Sequence, residues 1–176
     1  MPLYEILPGL PPYGARALAF SATGQGRHRE GFVVRFFPSD GESWVGNFQP
    51  GLSDLDSILD HPDGKRVLVI SGGQAYVIDP DAPSRWTHFG GGITFVTRVD
   101  VMRALLIGNG LWFELLGAQS MIWRSRRISW DGMRDIRVHD LRLTGESWNP
   151  NDFWVPFTLN LVDGSVIGGS YPESLA

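Results

Sequence analysis

Short apolar segments separated by turn residues return about every forty positions along this chain, and that period constrains the fold more than any other feature. The clearest copy runs from Lys65 to Ile70, breaks at Gly72 and Gly73, and resumes from Gln74 to Asp79. It then turns at Pro80 and Asp81 and ends with Ser84 to Phe89. Fourth segments of successive copies start at Trp44, Trp86, Trp123 and Val166, which lie 42, 37 and 43 residues apart. Third segments start at Val33, Ala75, Trp112 and Phe157, and second segments cover 17–21, 67–70, 104–107 and 141–144. First segments cover 56–59, 94–99 and 134–138, with 3–7 as the opening member. Each is rich in Val, Ile, Leu, Phe or Trp and bounded by Gly, Pro, Asn or Asp, the pattern of a strand between tight turns.

Four strands per period of this length predict an all-β fold of repeated four-stranded antiparallel sheets in a small four-bladed, propeller-like arrangement. The candidate blades are 3–48, 56–89, 94–126 and 134–170, within a single all-β domain spanning residues 1–176. A β-sandwich or a meander is the alternative. Twenty-two Gly and twelve Pro favour turns over long helices. The tetrapeptide Gly-Glu-Ser-Trp occurs at 41–44 and again at 145–148, at different points of the repeat.

His61, Pro62, Asp63, Gly64 and Lys65, followed by an apolar strand and then Gln74 to Asp79, resemble a blade of the WD-repeat and related bacterial β-propellers. The resemblance covers residues 56–89 best and 94–126 less well, and it implies structure only. The Trp-Asp dipeptide that closes the third strand in that family is missing, and Asp79 alone matches its acidic residue. From Trp123 onward the chain is also similar to β-rich tails of uncharacterised bacterial proteins.

A net charge of −4 opposes nucleic-acid binding. The N-terminus has neither a basic nor an apolar leader segment, and no apolar run is long enough to span a bilayer, so a cytoplasmic protein without a membrane partner is expected. Absence of cysteine excludes thiolate chemistry. The glycines at 72–73 and 90–92 are followed by no Lys-Ser/Thr pair, so they are turns and not phosphate loops. Ser120 and Ser129 lack a nucleophile-elbow context. Asp54, Asp56, Asp60, His61 and Asp63 straddle a strand and lack the closing Glu of a calcium loop. No catalytic residue, metal ligand or cofactor is assigned.

In an up-and-down sheet the first-to-second and third-to-fourth turns share one end. Those turns, at 38–42, 61–64, 79–82, 139–140 and 162–164, are short. The opposite end carries longer segments at 22–30, 49–54, 90–92, 126–133 and 146–152, and binding residues concentrate on such loops. Arg126, Arg127, Trp130, Asp131, Glu146, Trp148 and Asp152 are the candidate binding residues, because Trp and Arg dominate interaction hot spots. On the strand before them, alternation places Ile122, Arg124 and Arg126 on one side and Trp123 and Ser125 on the other. The expected function is non-catalytic binding of another protein, with an immunity-type inhibitor of a bacterial toxin as one version. The alternative is a small enzyme or ligand-binding protein with a central pocket, using His28, Glu30 and Asp54 or Asp152 as acid–base groups.

Overall fold

The computed structural model describes residues 3–24, 26 and 28–175, and these form sixteen strands in four four-stranded sheets. The chain divides into two compact units, Met1–Ile93 and Thr94–Ala176, each holding two sheets. Among the described residues no helix is long and apolar enough to cross a membrane.

In the first unit, β1 (Tyr4–Ile6), β2 (Leu18–Phe20), β3 (Phe32–Phe36) and β4 (Trp44–Phe48) make one sheet. The strands β5 (Ser57–Asp60), β6 (Val67–Ser71), β7 (Gln74–Ile78) and β8 (Trp86–Gly90) make the other, in chain order. In the second unit, β9 (Phe95–Val99), β10 (Ala104–Gly108), β11 (Phe113–Leu116) and β12 (Met121–Arg124) form a sheet in chain order. So do β13 (Met133–His139), β14 (Arg142–Asn149), β15 (Phe153–Asn160) and β16 (Val166–Gly168). The all-β class and the four-strand repeats are as the sequence predicts.

Only the first sheet breaks the up-and-down order, running β1-β3-β4-β2, with β2 parallel to β4 at the edge. The repeat had placed the second segment between the first and third. Because β1 also runs parallel to β4, β1 and β2 point the same way and no tight turn can join them. Residues 7–17, rich in Pro and Gly, therefore pass from one sheet edge to the other as an irregular strap.

Burial explains why sheets come in pairs. Phe20, Val34, Phe36 and Phe48 from the first sheet meet Val67, Val69, Tyr76 and Ile78 from the second in one core. In the second unit Leu106, Phe113 and Leu115 meet Leu143, Phe157 and Leu159 in another. The strands β6, β7 and β10 are buried at every residue and read as continuous apolar runs, whereas β14 alternates. An indole clamps each pair: Trp44 Nε1 donates to the Pro80 carbonyl at 2.9 Å, and Trp123 Nε1 to the Leu161 carbonyl at 3.0 Å. In both cases the tryptophan of a fourth strand reaches the third-to-fourth turn of the neighbouring sheet.

The short turns at one end are built as expected. Asp63 Oδ1 accepts the backbone N–H groups of Lys65 and Arg66, both at 2.9 Å, and its other oxygen takes Arg66 Nε. Burial alone would push the Asp63 carboxyl up, but these donors and the nearby His61 hold it well below the usual carboxylate range. Burial pushes the adjacent His61 imidazole down, against the attraction of Asp63, and its Nδ1 accepts from the Asp63 N–H at 3.3 Å. The repeated tetrapeptide has no shared position: residues 41–44 enter β4, while residues 145–148 lie within β14.

Both shifts make acid destabilising. The His61 contribution is complete above about pH 6.5 and is lost as pH falls below that value; the Asp63 contribution is complete above about pH 4 and is lost on further acidification. Urea unfolding between pH 7 and pH 3 should show stability declining through both ranges. Asp63→Asn should cost about 1–3 kcal/mol at neutral pH, and that gap should close well below pH 4.

Candidate functional site

Three segments meet at the loop-rich end of the second unit: the β12–β13 link, the β14–β15 turn and the tail after β16. Ile128, fully buried, fixes the first. Its N–H donates to the Leu111 carbonyl at 2.8 Å, and its carbonyl accepts the Tyr171 N–H at 3.0 Å. Gly169 lies so close that a Cβ there would sit 2.8 Å from the Ile128 oxygen, and its φ of +94° also requires glycine. Serines tie the rest together. Ser147 Oγ donates to Val155 O and accepts from Ser170 N, Ser129 Oγ donates to Gly132 O, and Ser170 Oγ donates to Trp148 O.

Arg126 and Arg127 sit at the centre of this junction. Arg126 Nη1 donates to the carbonyls of Arg127 and Tyr171, Nη2 donates to the Gly168 carbonyl at 2.6 Å, and Glu173 lies 3.4 Å from Nη2. Arg127 Nε donates to Ser129 O and Nη2 to Trp130 O, at 2.9 and 2.8 Å. The Arg127 guanidinium lies over the Tyr171 ring at 4.5 Å and near the Trp130 ring at 6.0 Å, and the two rings pack with centroids 4.7 Å apart. Arg126 Nε is buried without a hydrogen-bond partner among the described residues, while the other donors named go to the protein's own carbonyls and hold the loop and tail in one shape. Trp130 is half-buried in that shape, with Asp131 exposed beside it.

Glu146 and Trp148 are not loop residues, contrary to the sequence expectation. The strand β14 continues to Asn149 and β15 begins at Phe153, so the turn is confined to residues 150–152. Asn149 sets that turn by accepting the Asn151 N–H on its side chain and the Asp152 N–H on its carbonyl; Asp152 is exposed with φ of +62°. Trp148 pairs across the strands with Trp154, and Glu146 with Pro156, on the face turned away from the core. There Glu146 accepts from Arg134 Nε at 2.8 Å, and the Arg134 guanidinium lies over the Trp154 ring at 4.2 Å.

A bulge aims Arg134. Between Arg134 and Arg137 the β13 register gains one residue, with Asp135 at φ of +53°, so both arginines face outward while Ile136 packs inward against Gly145. The sequence pattern missed Tyr171, Arg134 and Trp154. Tyr171 carried no signal, because a lone aromatic in a Gly/Ser/Pro tail reads as a terminus. As expected, Trp123 and Ser125 turn inward and Arg124 turns out to pair with Glu114 at 2.6 Å, but Arg126, expected on the side of Arg124, is half-buried with its fork on backbone carbonyls.

Of the acid–base groups suggested for a central pocket, Glu30 Oε2 accepts the Leu10 N–H at 2.8 Å, and Asp54 and Asp152 are exposed. Gln25 and Arg27, which flank His28 in the long first loop, lie outside the described residues. No protein-family model, curated protein or solved structure matches the chain.

Replacing the Arg126 fork tests its clamping role. Arg126→Lys keeps the charge but loses the planar donor array, so the amides of Gly169 and Tyr171 should exchange about 10- to 100-fold faster, or about 1.5–3 kcal/mol. Protection in β10 and β11, measured in the same hydrogen-exchange experiment, should stay at the wild-type level.

Proposed function

We propose that the chain is a non-catalytic binding module of the bacterial cytoplasm, which grips another protein through the loop-rich end of its second unit. The observation that carries this reading is the self-satisfied Arg127, Trp130 and Tyr171 group. Its hydrogen bonds are internal, so the aromatic surface is held in position before any partner arrives and little side-chain freedom is lost on docking. Half-buried Trp beside exposed acid residues suits a hot-spot anchor with a polar rim.

Asp131 and Asp152 are exposed on the loops, and Glu173 is 73% exposed on the tail. With a net charge of −4, this rim would steer a partner that carries a basic face. An immunity-type inhibitor works in that way, covering the active site of a toxin and blocking it sterically. The repeated sheets, with their WD-repeat-like second copy, act in this reading as the scaffold that fixes the loops.

Affinity capture from the native host, with the wild-type chain and with Trp130→Ala and Trp148→Ala, tests the assignment. Each substitution should weaken capture of one specific partner by about 30-fold or more, the loss expected for a hot-spot residue. Val162→Ala, at an exposed residue in the short turn of the opposite end, should leave capture unchanged. Undiminished capture by both tryptophan variants contradicts the proposed face.

A further inference from the structure

We propose that β8 joins two copies of this chain, edge to edge and antiparallel, into a symmetric dimer. Each sheet ends in two edge strands, and an edge presents unpaired N–H and C=O groups to any strand that fits. Most edges here are blunted. The strands β1, β2 and β16 have three residues each. A register shift interrupts the pairing of β12 with β11 and of β13 with β14, and β13 also carries Arg134, Asp135 and Arg137. Strand β5 ends in Asp60, and β9 contains Arg98. By contrast β8 has five residues in unbroken register with β7 and no charged side chain. Its Thr87, His88 and Gly90 are exposed.

The free groups of this edge follow from the hairpin beside it. Ser71 and Gln74 flank the two-residue turn at Gly72 and Gly73, so they exchange hydrogen bonds, and the bonding direction alternates from there along β7. Gln74, Tyr76 and Ile78 therefore bond to β6, while Ala75 bonds to Phe89 and Val77 to Thr87. The N–H and C=O groups of Trp86, His88 and Gly90 are left pointing away from the sheet, and no turn or loop among the described residues takes them up. Antiparallel pairing about His88 sets that residue opposite its own symmetry mate and Trp86 opposite Gly90 of the second copy. Every outward group then meets an outward group along the whole strand.

Charge selects a second copy as the occupant. Arg85 precedes β8, is exposed and makes no ion pair among the described residues. At the other end the 51–53 segment crosses the sheet, with Leu52 N donating to Gly91 O at 2.6 Å, and Asp54 follows, exposed and equally unpaired. The acids near Arg85 are engaged, since Asp81 Oδ1 accepts from Ser39 and Asp79 Oδ1 accepts the Asp81 N–H. The edge is thus positive where it starts and negative where it ends. In the antiparallel register Arg85 of each copy lies opposite Gly91 of the other, on the side of Asp54, and symmetry makes that pairing twice. A parallel pairing would oppose like charges. Leu52, 93% exposed at the same end, gains cover across the seam.

Sedimentation velocity on the full-length chain, from about 1 µM to about 1 mM, should show the mass doubling as concentration rises. His88→Pro removes an outward N–H and spares the ladder to β7, so it should stay monomeric throughout. Arg85→Asp and Asp54→Arg should each weaken the dimer about tenfold or more, and the double variant should regain wild-type affinity. Hydrogen exchange needs no substitution: the amides of Trp86, His88 and Gly90 should gain protection with concentration, while those of Thr87 and Phe89 should be protected at every concentration. Trp130→Ala should dimerise as the wild type does, which separates this edge from the protein-binding face. A chain still monomeric at about 1 mM, a dimer that survives His88→Pro, or charge variants without loss and rescue overturns the proposal.

Discussion

Everything in this molecule depends on the fact that a four-stranded sheet of short strands cannot keep an apolar face dry by itself. Within each unit, the two sheets cover one another. Phe36 and Phe48 lie against Tyr76 in one unit, and Phe113 lies 6.2 Å from Phe157 in the other. Such burial is worth roughly 25 cal/mol per Å² of apolar surface, but it has no direction. Direction comes from the two indole clamps and from turns such as the one at Asp63, which fix how strands meet. Once two sheets are locked, their loops are fixed at known ends. The chemistry of the loops then follows from position.

The first consequence is a difference between arginines that look alike in sequence. Arg124 faces solvent and pairs with Glu114, while Arg126 and Arg127, two and three residues on, turn their donors onto backbone carbonyls. A guanidinium can do this because its planar fork satisfies several acceptors at once, which an ammonium cannot. The second consequence is a contrast between the units. The loop end of the second is cross-tied by serine hydroxyls and arginines, whereas the strap of the first rests on two anchors and is otherwise unbonded to the described residues.

Much of the fold could be read from the sequence because period and turn chemistry agree. Gln74 to Ile78 and Val67 to Ser71 flank a Gly-Gly turn in which both residues have positive φ, so pattern and geometry coincide. Two places were not legible. Leu18 to Phe20 reads as an inner second strand, and only the direction of β1 forces it to the edge, a long-range effect that no local pattern carries. Gly145 and Pro156 read as breaks, so the β14–β15 hairpin looked shorter than it is. Glycine is there because Ile136 and Phe157 pack where a Cβ would go, and Pro156 sits on the exposed outer face. Residue type singled out the Arg–Trp cluster. It could not separate clamping from presentation, because that depends on which carbonyls the fold brings near.

The most direct test of paired burial is native-state hydrogen exchange on Phe157→Ala, which should cost about 3–5 kcal/mol. If the two sheets of the second unit cover one another, amides of β10 and β11 should lose protection together with those of β14 and β15. Loss confined to β14 and β15, with β10 and β11 at the wild-type level, would contradict the account.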